Sequence, residues 1–132
     1  MKCIIDRTFC GICVGILLCY IISGLLTGKP SFFGYRLFFI MSESMEPTIH
    51  RNQIVIAEVV DSDAVEVGDV VAYKGGEGAI SKTVIHRVIA IENDRTVILK
   101  GDNNQNIDPP VGRNRIMYKI VFTKSVNRHD RE

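Results

Sequence analysis

Two serines stand two residues apart, Ser42 and Ser44, in the short non-periodic stretch Ile40-Met41-Ser42-Glu43-Ser44-Met45-Glu46-Pro47-Thr48-Ile49. A serine hydroxyl is a weak nucleophile at neutral pH and attacks a carbonyl only when a nearby base takes its proton. Ser44 is read as that nucleophile, and four side chains compete to be its base. His129 lies in the charged tail. His50 is six residues from Ser44, in a turn, where a histidine can simply be exposed. Lys82 would need to be buried and neutral to act, yet it follows the loop-like Gly78-Ala79-Ile80-Ser81. His86 sits inside the strongest strand pattern, and an imidazole with an ordinary pKa of about 6.5 suits proton transfer near neutrality.

An imidazole acting as base is usually oriented by a third group, which also stabilises the imidazolium once formed. Asp102 and Asp108 lie in the polar loop after the strand that follows His86, and either one reaches back towards it if those two strands form a hairpin. Turn chemistry accounts equally well for an aspartate before a polar loop and for one before proline, so spacing alone does not choose between them. His86 itself has a plain alternative, a core histidine satisfied by one backbone hydrogen bond.

Period-2 alternation puts His86 on one face with Val84, Val88 and Ala90, leaving Ile85, Arg87, Ile89 and Ile91 on the other. From Val84 to Ile91, five of the eight residues are Val or Ile, which makes this the firmest strand expectation. Further β patterns run over Gln53–Val60, Val70–Tyr73, Thr96–Leu99 and Arg115–Phe122. Asn93-Asp94 marks a turn and Gly75-Gly76-Glu77-Gly78 a loop. Asp108-Pro109-Pro110 excludes helix there. No helical period follows the apolar run Phe9–Leu26 and there is no internal repeat, so the polar part is expected to be a small all-β barrel or sandwich.

The front of the chain differs. Phe9–Leu26 is apolar and uncharged, and about twenty residues of helix span the roughly 30 Å of a bilayer core. Lys2, Asp6 and Arg7 precede it; Lys29 and Pro30 follow. Thr27-Gly28-Lys29-Pro30 makes a poor cleavage site, so an uncleaved anchor is expected rather than a removed signal peptide. Lys2, Arg7 and the amino terminus slightly outweigh Lys29 and Arg36 for the inner side. Phe32–Met41 is too short to span. Its aromatics and Arg36 suit either the headgroup boundary or a first strand.

The expected division is a transmembrane anchor over 1–28, a β-rich catalytic domain over 29–126 and a charged tail over 127–132. A formal net charge of +1 gives no reason to expect a nucleic-acid partner. All four cysteines, Cys3, Cys10, Cys13 and Cys19, fall in or beside the anchor, so the β part must fold without disulfides. Cys10 and Cys13 have no second pair and no histidine nearby. They are read as small lipid-facing residues rather than a metal site, and no metal or cofactor is expected.

Ser42-Glu43-Ser44-Met45-Glu46-Pro47-Thr48 resembles the nucleophile box of type I signal peptidases, peptidase family S26. Ile85-His86-Arg87-Val88 resembles the base box of the endoplasmic-reticulum type, found also in archaea and some Gram-positive bacteria, in which histidine replaces the lysine of the main bacterial type. Lys100-Gly101-Asp102-Asn103-Asn104, with Asp108, resembles its acidic box. The resemblance implies a compact, mostly β catalytic domain behind one membrane helix. It implies Ser44 as nucleophile, His86 as general base, Asp108 as orienting acid and Asp102 as a second important carboxylate. By analogy with the lysine-type enzymes, the Ser44 amide and Ser42 hydroxyl would form the oxyanion hole. For Met45 and the Phe38-Phe39 pair two readings stand side by side: the boundary between substrate groove and lipid, or ordinary packing.

The substrates implied are secretory precursors with small side chains at the first and third positions before the cut. The site implied is the extracytoplasmic face of the cell membrane, or the endoplasmic reticulum in a eukaryote; other subunits are left open. Two features depart from the family pattern. Glu43 replaces the usual glycine, which makes a positive φ unexpected there, and no second membrane helix follows the β part as far as Glu132. Two other readings suit the same residues: an inactive membrane-tethered β module that binds a partner, and a serine–lysine autoprotease.

Overall fold

The computed structural model describes residues 2–29, 31–76, 82–93 and 95–123. The charged tail with His129, Asp94 of the expected turn, and residues 77–81 of the glycine-rich loop lie outside the described residues. The chain divides into two compact units, Met1–Arg36 and Leu37–Glu132.

The first unit is dominated by helix α1, Lys2–Thr27. Within it Thr8–Leu26 has a mean hydropathy of 2.5, long and apolar enough to cross a bilayer. Phe9, Leu17, Leu25 and Leu26 are exposed, and Cys10, Cys13 and Cys19 are free thiols. The helix ends at Gly28, whose φ of 63° takes the left-handed cap conformation. Ser23 Oγ and Ser31 Oγ, 2.9 Å apart, tie the last turns to the segment beyond. Phe33 and Gly34 both have positive φ. They form a two-residue turn closed by reciprocal backbone hydrogen bonds between Phe32 and Tyr35.

The strands are β1 Tyr35–Phe39, β2 Ile54–Val59, β3 Val70–Gly75, β4 Lys82–Glu92, β5 Thr96–Lys100, β6 Val111–Gly112 and β7 Ile116–Thr123, with 3-10 turns at Ser62–Ala64 and Arg113–Arg115. They form one seven-stranded sheet, ordered β1-β2-β7-β3-β4-β5-β6, so the chain beyond the helix is mostly β as expected. Strand β7 inserts between β2 and β3, so the end of the chain completes the middle of the sheet. Apolar residues gather on both faces. One face carries Val71, Tyr73, Val88, Val97, Leu99 and Ile116. The other carries Ala57, Ala72 and Tyr118, with Ile40, Met45, Ile49 and Val55 in an adjoining cluster. Arg113 fastens the first 3-10 turn, donating from Nε to Ser62 O at 2.9 Å and from Nη2 to Val65 O at 2.8 Å.

Register explains the position of His86. On β3 and β4, Val71 faces His86 and Tyr73 faces Val84, and residues opposite one another share a face. His86 therefore lies over the first cluster, 7% exposed. The strict alternation expected along this strand fails at one point. The β4–β5 register shifts between Val88 and Ala90, and this bulge reverses the parity beyond it. Ile91, expected on the face opposite His86, instead packs beside the cluster of Val88.

Candidate active site

Ser44 is carried by a turn with its own apolar footing. Met45 and Ile49, four residues apart, are 2% and 0% exposed and pack with Ile40 and Val55. The Ile49 amide donates to Met45 O at 2.9 Å, and the Glu46 amide to Glu43 O at 3.1 Å. Met45 is thus a buried core residue that anchors the turn. Of the two phenylalanines expected beside it, Phe38 stacks edge-on against Tyr118 at 5.4 Å, while Phe39 is exposed.

The other side of the turn rests on the loop after β5. The Asn103 amide donates to Ser44 O at 2.9 Å, and Asn103 Nδ2 donates to Glu43 O at 3.2 Å. A Cβ at position 101 would lie 2.6 Å from Ser44 O, so only glycine permits this approach. Glu43 is not among the non-glycine residues with positive φ; its carboxylate faces Arg51 at 3.8 Å with both side chains exposed.

Ser44 Oγ lies 3.3 Å from His86 Nε2 and 3.1 Å from Ser42 Oγ. On the far side of the ring, His86 Nδ1 is 2.5 Å from Asp108 Oδ2. A carboxylate offers only acceptors, so Nδ1 donates and Nε2 keeps the lone pair that can accept the serine proton. Asp108 is steered by its own backbone, whose amide donates to Leu99 O at 2.8 Å. The Tyr73 hydroxyl donates to the same Oδ2 at 3.0 Å. Burial, and then the neighbouring Asp108 charge, hold that phenol well above its ordinary pKa. Ser44, Ser42, His86 and Asp108 are therefore brought together.

Asp102 is not on the imidazole. Arg87 grips it with Nε to Oδ1 at 2.8 Å and Nη2 to Oδ2 at 2.6 Å, and the Thr48 hydroxyl donates to Oδ2 at 2.5 Å. Arg87 Nη1 also donates to Gly68 O at 2.9 Å. This two-pronged pair clamps the Ser44 turn, through Thr48, to β4 and to the loop after β5. The Arg87 hydrogen bonds hold the Asp102 carboxyl below its ordinary pKa, and the Arg87 guanidinium is raised in turn by Asp102. A depressed folded pKa contributes stability that is complete above the unfolded value of about 4 and disappears as pH falls through the lower folded value. Asp102→Asn is accordingly expected to lower thermal stability by about 1–2 kcal/mol at neutral pH. Melting curves of variant and wild type should converge as pH falls below the ordinary carboxylate range and the Asp102 carboxyl is protonated; a gap that persists there would contradict an ionic clamp.

Lys82 is exposed at the start of β4, four residues and about 13 Å along the strand from His86. His50 lies 3.6 Å from Glu46 and takes no part in the Ser44 contact. Sequence reasoning missed Tyr73, Arg87 and Thr48. A tyrosine in a buried strand needs a partner for its hydroxyl, which was the available signal for Tyr73; the other two depend on loop paths that no pattern encodes.

The family model described as "Signal peptidase, peptidase S26" matches residues 13–117. Signal peptidase I W of Bacillus subtilis (strain 168) is 32% identical over 85 residues, covering 61% of this chain and 43% of that protein. The signal peptidase complex catalytic subunit SEC11C of Homo sapiens, like that of Mus musculus, is 31% identical over 84 residues, covering 61% of this chain and 41% of its own. The chain thus spans less than half the length of these curated relatives. No solved structure matches it.

Proposed function

The chain belongs to the signal peptidase family, peptidase S26, and on that footing we propose that it is a membrane-bound serine endopeptidase that removes signal peptides from secretory precursors. The observation that carries this is the line of contacts from Ser44 Oγ to His86 Nε2 and from His86 Nδ1 to Asp108. A hydroxyl, an imidazole in the accepting tautomer and a carboxylate behind it form the constellation that acyl transfer needs.

In this mechanism Ser44 Oγ bonds to the scissile carbonyl carbon as His86 Nε2 takes its proton. Asp108 stabilises the imidazolium. The Ser44 amide and Ser42 hydroxyl receive the developing oxyanion, where one well-aimed donor is worth about 3 kcal/mol. The C–N bond then breaks, His86 returns the proton to the leaving amine, and the mature protein departs. Water, deprotonated by the same imidazole, cleaves the acyl ester and restores the Ser44 hydroxyl. Small residues precede the cut at the first and third positions. Asp102 acts at a distance, through the clamp that holds the turn.

The division proposed is an anchor over 1–28, a catalytic domain over 29–126 and a tail over 127–132, with the catalytic domain on the extracytoplasmic face of a cell or endoplasmic-reticulum membrane. The hydropathy of Thr8–Leu26 supports the anchor. A precursor's own apolar segment shares that bilayer, so enzyme and cut site meet in a nearly two-dimensional search. Leu37, Phe39 and Met41 are 66%, 58% and 78% exposed, which suits contact with lipid headgroups. Co-expression with tagged precursors tests the reading. Wild type should convert them to mature length, and Ser44→Ala should leave them uncut; equal processing by both, or none by wild type, would overturn it.

A further inference from the structure

Beyond the serine, imidazole and aspartate, one buried polar group contacts the same machinery. The Tyr73 hydroxyl and His86 Nδ1 both donate to a single oxygen, Asp108 Oδ2, at 3.0 and 2.5 Å. Tyr73 reaches it from β3, where its ring is only 6% exposed and belongs to the core cluster with Val71 and Val88. Its ring centroid lies 6.4 Å from that of His86, tilted at 53°. The ring is therefore fixed by packing, and its hydroxyl is delivered to the carboxylate by the strand itself. Nothing in the packing requires a hydroxyl at this position; the carboxylate is what it serves.

We propose that Tyr73 is a positioning residue for the base, which holds the Asp108 carboxylate in line with His86 and moderates its pull on the ring. This rests on the serine peptidase reading above. A donor on Oδ2 draws negative charge away from the oxygen that faces Nδ1–H. The imidazolium is then held less tightly than it would be beside an unshared carboxylate. Other charges lie nearby: Arg115, from the second 3-10 turn, opposes the rise in the Tyr73 pKa, and Asp102, in the grip of Arg87, interacts with His86. Both remain in place when only the Tyr73 hydroxyl is removed.

The test uses the full chain in detergent, with two readouts for Tyr73→Phe. The acidic limb of kcat/KM against pH should move up by about half a pH unit, a loss of about threefold on the limb itself. The NMR resonance of the proton between His86 Nδ1 and Asp108 should move downfield, because the carboxylate becomes a stronger acceptor. Both effects should vanish when Asp108→Asn is already present. A limb and a resonance at their wild-type positions, or equal shifts without the Asp108 carboxylate, would overturn the proposal. If Tyr73→Phe does not fold, 3-fluorotyrosine at position 73 keeps the ring and strengthens the donor; it should move both readouts the opposite way, and no movement overturns the idea. If wild type cleaves no precursor, the peptidase reading fails, while the resonance still decides the role of Tyr73.

Discussion

His86→Ala is expected to lower kcat for precursor cleavage by about ten-thousandfold or more with little change in KM. Without Nε2 at 3.3 Å from Ser44 Oγ, the hydroxyl loses the base it contacts and keeps only the Ser42 hydroxyl, which is too weakly basic to take its proton. The residual rate is what the oxyanion donors and substrate binding supply by themselves. Ser44→Ala should lose as much, and the double variant no more than either alone, because the two residues act as one unit. Lys82→Ala should retain nearly full activity, since this lysine is exposed and displaced along β4. Kinetics on one purified precursor check all four proteins. An active His86 variant beside a dead Lys82 variant would reassign the base.

Asp108→Asn is the second large effect, a fall of about a thousandfold to ten-thousandfold in kcat. An asparagine in the same place can present its NH2 to the ring. Nδ1 would then have to accept, which moves the proton to Nε2 and removes the lone pair that Ser44 needs. Packing changes little, so the variant should remain folded by circular dichroism. Asp102→Asn gives the contrast. Its partners are Arg87 and Thr48, so it should weaken the seating of the Ser44 turn and cost far less than Asp108→Asn. Equal losses from the two aspartates would argue that both act on His86, against the geometry.

Much of this arrangement was legible in the residues. The apolar run of α1 and the Val/Ile-rich patterns of β2, β3, β4, β5 and β7 declare themselves, because burial imposes a period that composition records. His86 on the face of Val84 and Val88 followed from alternation alone. Four things did not follow. Choosing between Asp102 and Asp108 requires the path of a loop, fixed by the Asp108 amide on Leu99 O and by Arg87 drawing Asp102 the other way. Met45 sits in a segment without periodicity, so its burial under the turn shows only once Ile40 and Val55 are folded beneath it. The bulge between Val88 and Ala90 leaves no mark in a run where most residues are Val or Ile, and strand β6, with two residues, is too short for any period to register.

In the proposed mechanism His86 makes the Ser44 hydroxyl nucleophilic. The most direct measurement is the rate at which a serine-directed acylating probe forms a covalent adduct, located by mass spectrometry, on wild type and on His86→Ala in detergent. A single adduct is expected on Ser44 of wild type, forming faster as pH rises from about 5 to 8, with essentially none on the variant. Absence of an adduct on wild type, or labelling of Ser44 that is indifferent to the loss of His86, would contradict this mechanism.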